Sequence, residues 1–378
     1  MPAILLVFAV AAAAATSGTP AVRRLAWRIG AVDRPGVGHL HRRPIPYLGG
    51  TAIFFAFALA VAVVLAWGLD PQEQRPLLGL VCAAGLMLLV GVVDDLGHFW
   101  SARYPWLADR EGRGLRPVAK LVGQLLAATM LCLFGIVIHG IQDPLAGNTV
   151  HWLSFGWLGY PLTVFWVVAV TNAVNWIDGL DGLAAGIASI AAGTLLLVAI
   201  LAGNMAGAAL VCAALLGACL GFLPWNFHPA RIFMGDAGAL FLGFALGAVS
   251  VIGPLKSATV VALSVPALAI GLPVLDTALA IVRRWRAGQM VGVRDHAHVH
   301  HRLLALGLSH RDAVLALYVI SGWLGISALA VERVGPFLGA GIVLFVVVSV
   351  ALAARLAGIL PRATRLAARA EPESSVQT

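Results

Sequence analysis

Apolar residues in this chain run in blocks of about the length that carries a helix across a bilayer core, roughly 20 residues. The blocks cover approximately 3–18, 49–69, 76–93, 117–138, 157–174, 183–203, 206–224, 235–252, 257–281, 313–331 and 335–358. This pattern predicts an all-α integral membrane protein: a polytopic bundle of about 11 transmembrane helices, or 10 if 183–224 is parsed differently. Polar residues gather in three long loops on one side of that bundle, 19–48, 94–116 and 282–312. Loops on the other side are short, and the longest, 139–156, has no Lys or Arg. The chain reads as a single transmembrane domain over 1–378, and its polar end, 359–378, as a disordered tail.

Composition agrees. Hydrophobic residues make up 60% of the 378 and charged residues 11%, whereas a soluble domain carries about 25% charged residues. The net charge of +8 raises nucleic acid as a partner, but its distribution removes that need. With alternate loops assigned to alternate sides, 22 of the 25 Lys and Arg fall on the side of the long loops; Arg75, Lys256 and Arg333 are the others. That is the positive-inside bias of an inserted protein. It puts the N-terminus outside, and the C-terminus and the polar face in the cytoplasm. The first block has its arginines after it instead of before it, which argues against a cleaved secretory signal. Cys82, Cys132, Cys212 and Cys219 lie inside apolar blocks without CxxC spacing and read as small buried hydrophobes.

Five of the seventeen acidic residues border spans on the polar side: Asp94, Asp95, Asp178, Asp181 and Asp236. Each alone could simply mark a helix end in water. Five on one side, set among glycines and asparagines, point to function, because acids at membrane depth are costly. The pair in GVVDDLG (91–97) suits a shared cation, and open carboxylates suit Mg²⁺ beside a phosphate. In NAVNWIDGLDGLAAG (172–186), Asn172, Asn175 and Asp178 follow helical spacing into a glycine turn fit for a base or ribose. In PWNFHPARIFMGDAGALFLG (224–243), Asn226, Arg231, Phe233 and Asp236 fall within eleven residues, although Asp236 could also serve as a helix cap.

The loop RDHAHVHHRLLALG (294–307) holds His296, His298, His300, His301 and Arg302. Its spacing lacks the i, i+4 pairing of zinc helices, and His with Arg fits anionic phosphate better than a transition metal. Lys120 and Gln124 stand four apart at the start of a span, and His41, Arg42 and Arg43 precede a proline turn. Both groups also fit plain positive-inside anchoring. Asp276 is expected to pair with Arg283 or Arg284 in a structural role.

Taken together, NxxNxxDGLDGLA (172–184), NFxPAxxFMGDxG (226–238) and DxxHxHHRL (295–303) resemble the polyprenyl-phosphate N-acetylhexosamine-1-phosphate transferases, glycosyltransferase family 4. The likeness runs from about residue 33 to 312, and the histidine loop is similar to the WecA/TagO branch. The resemblance implies transfer of N-acetylglucosamine 1-phosphate, or a related amino-sugar 1-phosphate, from a UDP-amino sugar to undecaprenyl or decaprenyl phosphate, with release of UMP. This would be the first membrane step of cell-envelope polysaccharide assembly, on the cytoplasmic face of a bacterial inner membrane. By motif position it implies Asp236 as a ligand of Mg²⁺ (or Mn²⁺), with Asp94 or Asp95 helping to hold the metal or activating the lipid phosphate. It further implies Phe233 stacked on uracil, and Asn175, Asp178, Asp181 and Asn226 on the nucleotide side. Lys120 would face the lipid phosphate, and His298, His300, His301 and Arg302 the diphosphate and sugar; of these, His300 is grouped with the catalytic set.

This chain departs from the family pattern in three places. Tyr47 stands where an Arg is usual, and Ala239 where a Ser is usual. A longer stretch, with 25 residues between Asp94 and Lys120, inserts HFWSARYPWLADREGRG (98–114), which reads as an interfacial segment and puts the position of Lys120 in question. The competing readings are MraY-like transfer of phospho-MurNAc-pentapeptide and, from a different class, an ion-coupled transporter. A transporter would place its acids at mid-helix depth. The sequence leaves a monomer and a homodimer both open.

Overall fold

Within hydrocarbon every backbone N–H and C=O must be paired inside its own segment, so apolar blocks of this length become helices. The computed structural model describes residues 1–35, 43–67, 70–109, 114–142, 152–203, 207–252, 267, 270–277, 299–334 and 336–356. Its helices include α1 (Pro2–Ile29), α2 (Gly49–Ala66), α3 (Pro71–Asp95), the single turn α4 (Gly97–Trp100), α5 (Pro117–Leu133) and α6 (Gly159–Ile177). They continue with α7 (Leu183–Leu201), α8 (Ala208–Asn226), α9 (Gly235–Ile252), α10 (Val299–Ala305), α11 (His310–Arg333) and α12 (Pro336–Leu356). Eight of these are long and apolar enough to cross a membrane, and Pro117–Leu133 and Leu338–Ser349 are shorter apolar helices. The fold is therefore the polytopic all-α membrane bundle that the hydropathy pattern predicts. The block 183–224 resolves into two spans, α7 and α8. Most of the expected span 257–281 and all of the tail 359–378 lie outside the described residues.

The bundle is organised around α9. Every residue from Ala237 to Val251 is buried, as expected of a helix that is apolar on all sides. α3 and α6 are its main neighbours, with α2 beside them. Association inside a membrane depends on close packing instead of water exclusion, so small residues sit at the contacts. Gly91 of α3 is one: a Cβ there would overlap the backbone of Ala237 in α9. At the margin, only 28% of the apolar window of α1 is buried, against 83% for α9; α1 packs mainly on α8 and α2.

Two short antiparallel hairpins complete the frame. β1 (Val32–Asp33) pairs with β2 (Ile45–Pro46), Val32 opposite Pro46, and β3 (Gly140–Gln142) with β4 (Trp152–Ser154). The first hairpin is tied to the approach to α9. The N–H of Phe233 donates to the Pro46 carbonyl, while the N–H groups of Gly49 and Gly50 donate to the carbonyls of Phe233 and Met234, each at 2.9 Å. The start of α2 and the start of α9 thus share one rigid backbone seam.

Candidate active site

The polar ends of α3, α5, α6 and α9 meet at one end of the bundle. Asp236 lies in the first turn of α9, where the helix dipole favours a negative charge. Asp95, the last residue of α3, caps that same turn: its Oδ1 accepts the Asp236 N–H at 2.8 Å and its Oδ2 the Ala237 N–H at 3.1 Å. Two orphan donors of α9 are thereby satisfied from a neighbouring helix. Gly235, at φ +70°, leaves the carboxylate room, since a Cβ there would overlap Asp95 Oδ2.

Lys120 of α5 completes the group. Its ammonium is 2.8 Å from Asp94 Oδ2 and also bonds Asp236 Oδ2. From α6, the Asn175 amide donates to Asp236 Oδ1 at 3.1 Å. One helical turn along each helix, Gln124 and Asn172 exchange amide hydrogen bonds of 2.6 and 3.2 Å, which fixes the rotation of α5 against α6. The i, i+4 pair on α5 and the i, i+3 pair on α6 are thus one interface: one rung structural, the other in the site.

The inserted stretch does not displace Lys120. Residues after α4 fold back on themselves: the Asp109 N–H donates to the Gly114 carbonyl at 2.8 Å, and Ala108 pairs with Leu115. The Arg116 guanidinium closes the fold by donating to the carbonyls of Ala108 at 2.8 Å and Pro105 at 3.2 Å. Its return limb then enters the site, where the Leu115 N–H donates to Asp94 Oδ1 at 2.7 Å. Phe99, Tyr104 and Trp106 are exposed.

Asp94, Asp95 and Asp236 each offer an oxygen, and these atoms lie within 4.8 Å of one another. Three carboxylates against one ammonium leave a formal charge of −3 + 1 = −2, which one divalent cation balances. All the donors are hard oxygens, the set that Mg²⁺ or Mn²⁺ takes. The residues present therefore fit the metal that the motifs imply.

Asp178 and Asp181 lie in the turn between α6 and α7. Burial first, and then the charges of Asp236 and Asp181, push the Asp178 carboxyl up to about 7. Asp181 binds away from the carboxylate trio, with His228 Nδ1 at 2.8 Å and the Ala230 N–H at 3.0 Å. Asn226 is only 4% exposed; its oxygen accepts the Gly182 N–H at 3.1 Å and its amide donates to the Ile232 carbonyl at 3.0 Å. It braces two loops with the groups that the motif directs to a nucleotide. Phe233 is half-buried at the mouth of α9. Tyr47 lies near Asp95 and Asp33, and burial, followed by those two charges, pushes its phenol up to about 12; it supplies no positive charge where an Arg would.

His300, His301 and Arg302 lie on α10, which packs against α11. His298, His41, Arg42, Arg283 and Arg284 lie outside the described residues, and Asp276 is buried. Two residues escaped the motif reading altogether. His228 occupies the variable position of NFxPA, and His310 opens α11; with Asp181 their ligand-capable atoms lie within 4.8 Å. The available signal was positional: both histidines border spans on the polar side.

The glycosyl transferase family 4 model matches residues 77–254. Among curated proteins, the chain is 36% identical over 342 residues to the "Probable undecaprenyl-phosphate N-acetylglucosaminyl 1-phosphate transferase" of Bacillus subtilis, covering 90% of this chain and 88% of that one. It is 38% identical over 331 residues to the decaprenyl-phosphate N-acetylglucosaminephosphotransferase of Mycolicibacterium smegmatis, covering 81% and 76%. A phospho-N-acetylmuramoyl-pentapeptide-transferase of Desulforudis audaxviator is 35% identical over 307 residues, covering 77% and 86%.

Proposed function

Because the chain belongs to glycosyl transferase family 4, we propose that it transfers N-acetylglucosamine 1-phosphate from UDP-N-acetylglucosamine to undecaprenyl or decaprenyl phosphate, releasing UMP on the cytoplasmic face of the membrane. The observation that carries this reading is the convergence of Asp94, Asp95, Lys120, Asn175 and Asp236 on the first turn of the central helix, which is buried from Ala237 to Val251. The names of the relatives, which include two polyprenyl-phosphate N-acetylglucosamine-phosphate transferases, support it.

Phosphoryl transfer asks a protein mainly for positioning and charge neutralisation. Asp236, with Asp94 or Asp95, would hold Mg²⁺. When bound, that ion supplies charge neutralisation to the diphosphate of the donor. Lys120, fixed between Asp94 and Asp236, holds a positive charge where a lipid phosphate approaches from the bilayer. Asn175 and Asp95 keep Asp236 oriented. Each of the three acids already serves a partner: Asp94 and Asp236 the ammonium, Asp95 two backbone N–H groups. This favours direct attack over an aspartyl intermediate. An oxygen of the lipid phosphate forms the new bond to the β-phosphorus, the bond from that phosphorus to the bridging oxygen breaks, and UMP departs with the electron pair. A phosphate oxygen that is anionic near neutral pH needs little further activation.

The test is product identification. Purified protein, undecaprenyl phosphate, Mg²⁺ and UDP-N-acetylglucosamine should give undecaprenyl-diphosphate-N-acetylglucosamine by mass spectrometry. UDP-MurNAc-pentapeptide, offered separately, should give no lipid product. A product from the pentapeptide donor alone would assign the chain to the chemistry of its D. audaxviator relative. No product from any UDP-sugar, from protein that remains monodisperse, would contradict the proposal.

A further inference from the structure

Beside the carboxylate–lysine group, a second set of polar side chains closes on one short turn. The turn 178–182 joins α6 to α7, and three other stretches of chain hold it. From α11, His310 Nε2 accepts the Asp181 N–H at 2.9 Å, and the Tyr318 hydroxyl donates to the Gly182 carbonyl at 2.6 Å. From the end of α8, Asn226 accepts the Gly182 N–H. Just beyond it, His228 Nδ1 and the Ala230 N–H both donate to Asp181 Oδ2. The imidazoles of His228 and His310 stack, with centroids 4.2 Å apart and planes 19° from parallel.

Two histidines and an aspartate suggest a metal, but the stacking argues against it. An imidazole binds a metal along a lone pair in its own ring plane, at about 2.0–2.1 Å. Rings so nearly parallel and 4.2 Å apart share no such point. The lone pair of His310 Nε2 is also occupied by a backbone N–H, which fixes the tautomer with its proton on Nδ1. Each ring therefore acts as a brace: His310 as an acceptor for the backbone of Asp181, His228 as a donor to its carboxylate.

We propose that His310 and His228 are positioning residues for the donor, holding the 178–182 turn in the shape that receives the nucleotide half of a UDP-sugar. This rests on the transferase reading above. The turn follows directly on the end of α6, where Asn175 donates to Asp236 Oδ1, so it stands between the braces and the reacting centre. A short turn between helices has little stability of its own. If only a fraction of molecules hold the receptive shape, apparent donor affinity falls by that fraction, whereas a donor that is already bound reacts in the same carboxylate–lysine site. Loss of a brace therefore raises the donor KM and spares kcat.

Two measurements on the full-length protein in detergent test this. His310→Phe keeps the ring and removes the acceptor; His310→Gln returns an acceptor. Hydrogen–deuterium exchange should rise in peptides spanning 175–186 of His310→Phe, stay unchanged in 235–245, and return toward wild type in His310→Gln. In the transfer assay, His310→Phe should raise the KM for UDP-N-acetylglucosamine tenfold or more, with kcat and the KM for undecaprenyl phosphate within twofold, and His310→Gln should recover most of the loss. His228→Leu should shift the donor KM the same way, and His228→Asn less. Unchanged exchange in the turn overturns the proposal, and so does raised exchange with an unmoved donor KM. A wild-type protein that transfers nothing sinks the transferase reading instead, while the exchange result still decides whether His310 braces the turn.

Discussion

The two polar clusters at this end of the bundle differ in construction. In the first, Asp94, Asp95, Lys120, Asn175 and Asp236 all project from helices: Lys120 and Asn175 hold carboxylates, and Asp95 caps the first turn of α9. In the second, Asp181, His228 and Asn226 lie in or beside loops and only His310 and Tyr318 belong to a following helix; what they hold is mostly backbone. A cluster on helices around a buried axis can fix charges to within an ångström, as chemistry demands. A cluster that grips a turn can set its shape and let it yield, as binding demands. The first should therefore control turnover and the second affinity for the donor.

The largest effect expected is at the centre of the first cluster. Asp236→Asn keeps the size of the side chain and the bond to Asn175 but removes the charge at the helix terminus; kcat should fall about a thousandfold, while the protein elutes as wild type in size-exclusion chromatography. Activity within tenfold of wild type would remove Asp236 from the site. Lys120→Ala comes next, with a fall of about a hundredfold, because the carboxylates remain and only one of the opposing charges is lost. If instead it raised only the donor KM, the division between the clusters would fail. The loss of donor affinity in His310→Phe is smaller, about tenfold in KM. A mutant of either cluster that shifts both parameters equally would erase the distinction.

The smallest effect concerns Asp178, which lies between the two. Its carboxyl is raised to about 7 by burial and neighbouring charge, from an ordinary value of 3.8. The folded state then binds a proton more tightly than the unfolded state does, so this residue's contribution to stability falls as pH rises through that window. Asp178→Asn removes the dependence. In EDTA the variant and the wild type should melt within about 1 °C of each other at pH 4, with the variant about 5 °C higher at pH 8. A difference that does not change with pH would contradict the shift.

Legibility in the sequence follows the same division. The apolar block 235–252 has the bounds of α9, because apolar length is a local property. The acids of the first cluster were legible because each sits in a glycine-rich motif at a span end. That Asp95 caps α9 was not, since the contact crosses 141 residues and depends on α3 packing against α9. The insertion cast doubt on Lys120 for a related reason: a count of residues cannot tell that the chain folds back through Arg116 and Leu115 to the same place. The braces of the second cluster were missed because His228 and His310 lie 47 and 129 residues from Asp181, and neither stands at a motif position. Of the motif histidines, His296 and His298 lie outside the described residues, and His300 and His301 lie on α10.

The most direct test of the central claim is UMP release by the purified protein, measured with and without undecaprenyl phosphate and with UDP-N-acetylglucosamine as donor. UMP that requires the lipid, disappears in EDTA, returns with Mg²⁺ and is absent from Asp236→Asn is the expected result. UMP release that persists in EDTA, ignores the lipid or survives in Asp236→Asn would contradict a metal-assisted transfer at the first turn of α9.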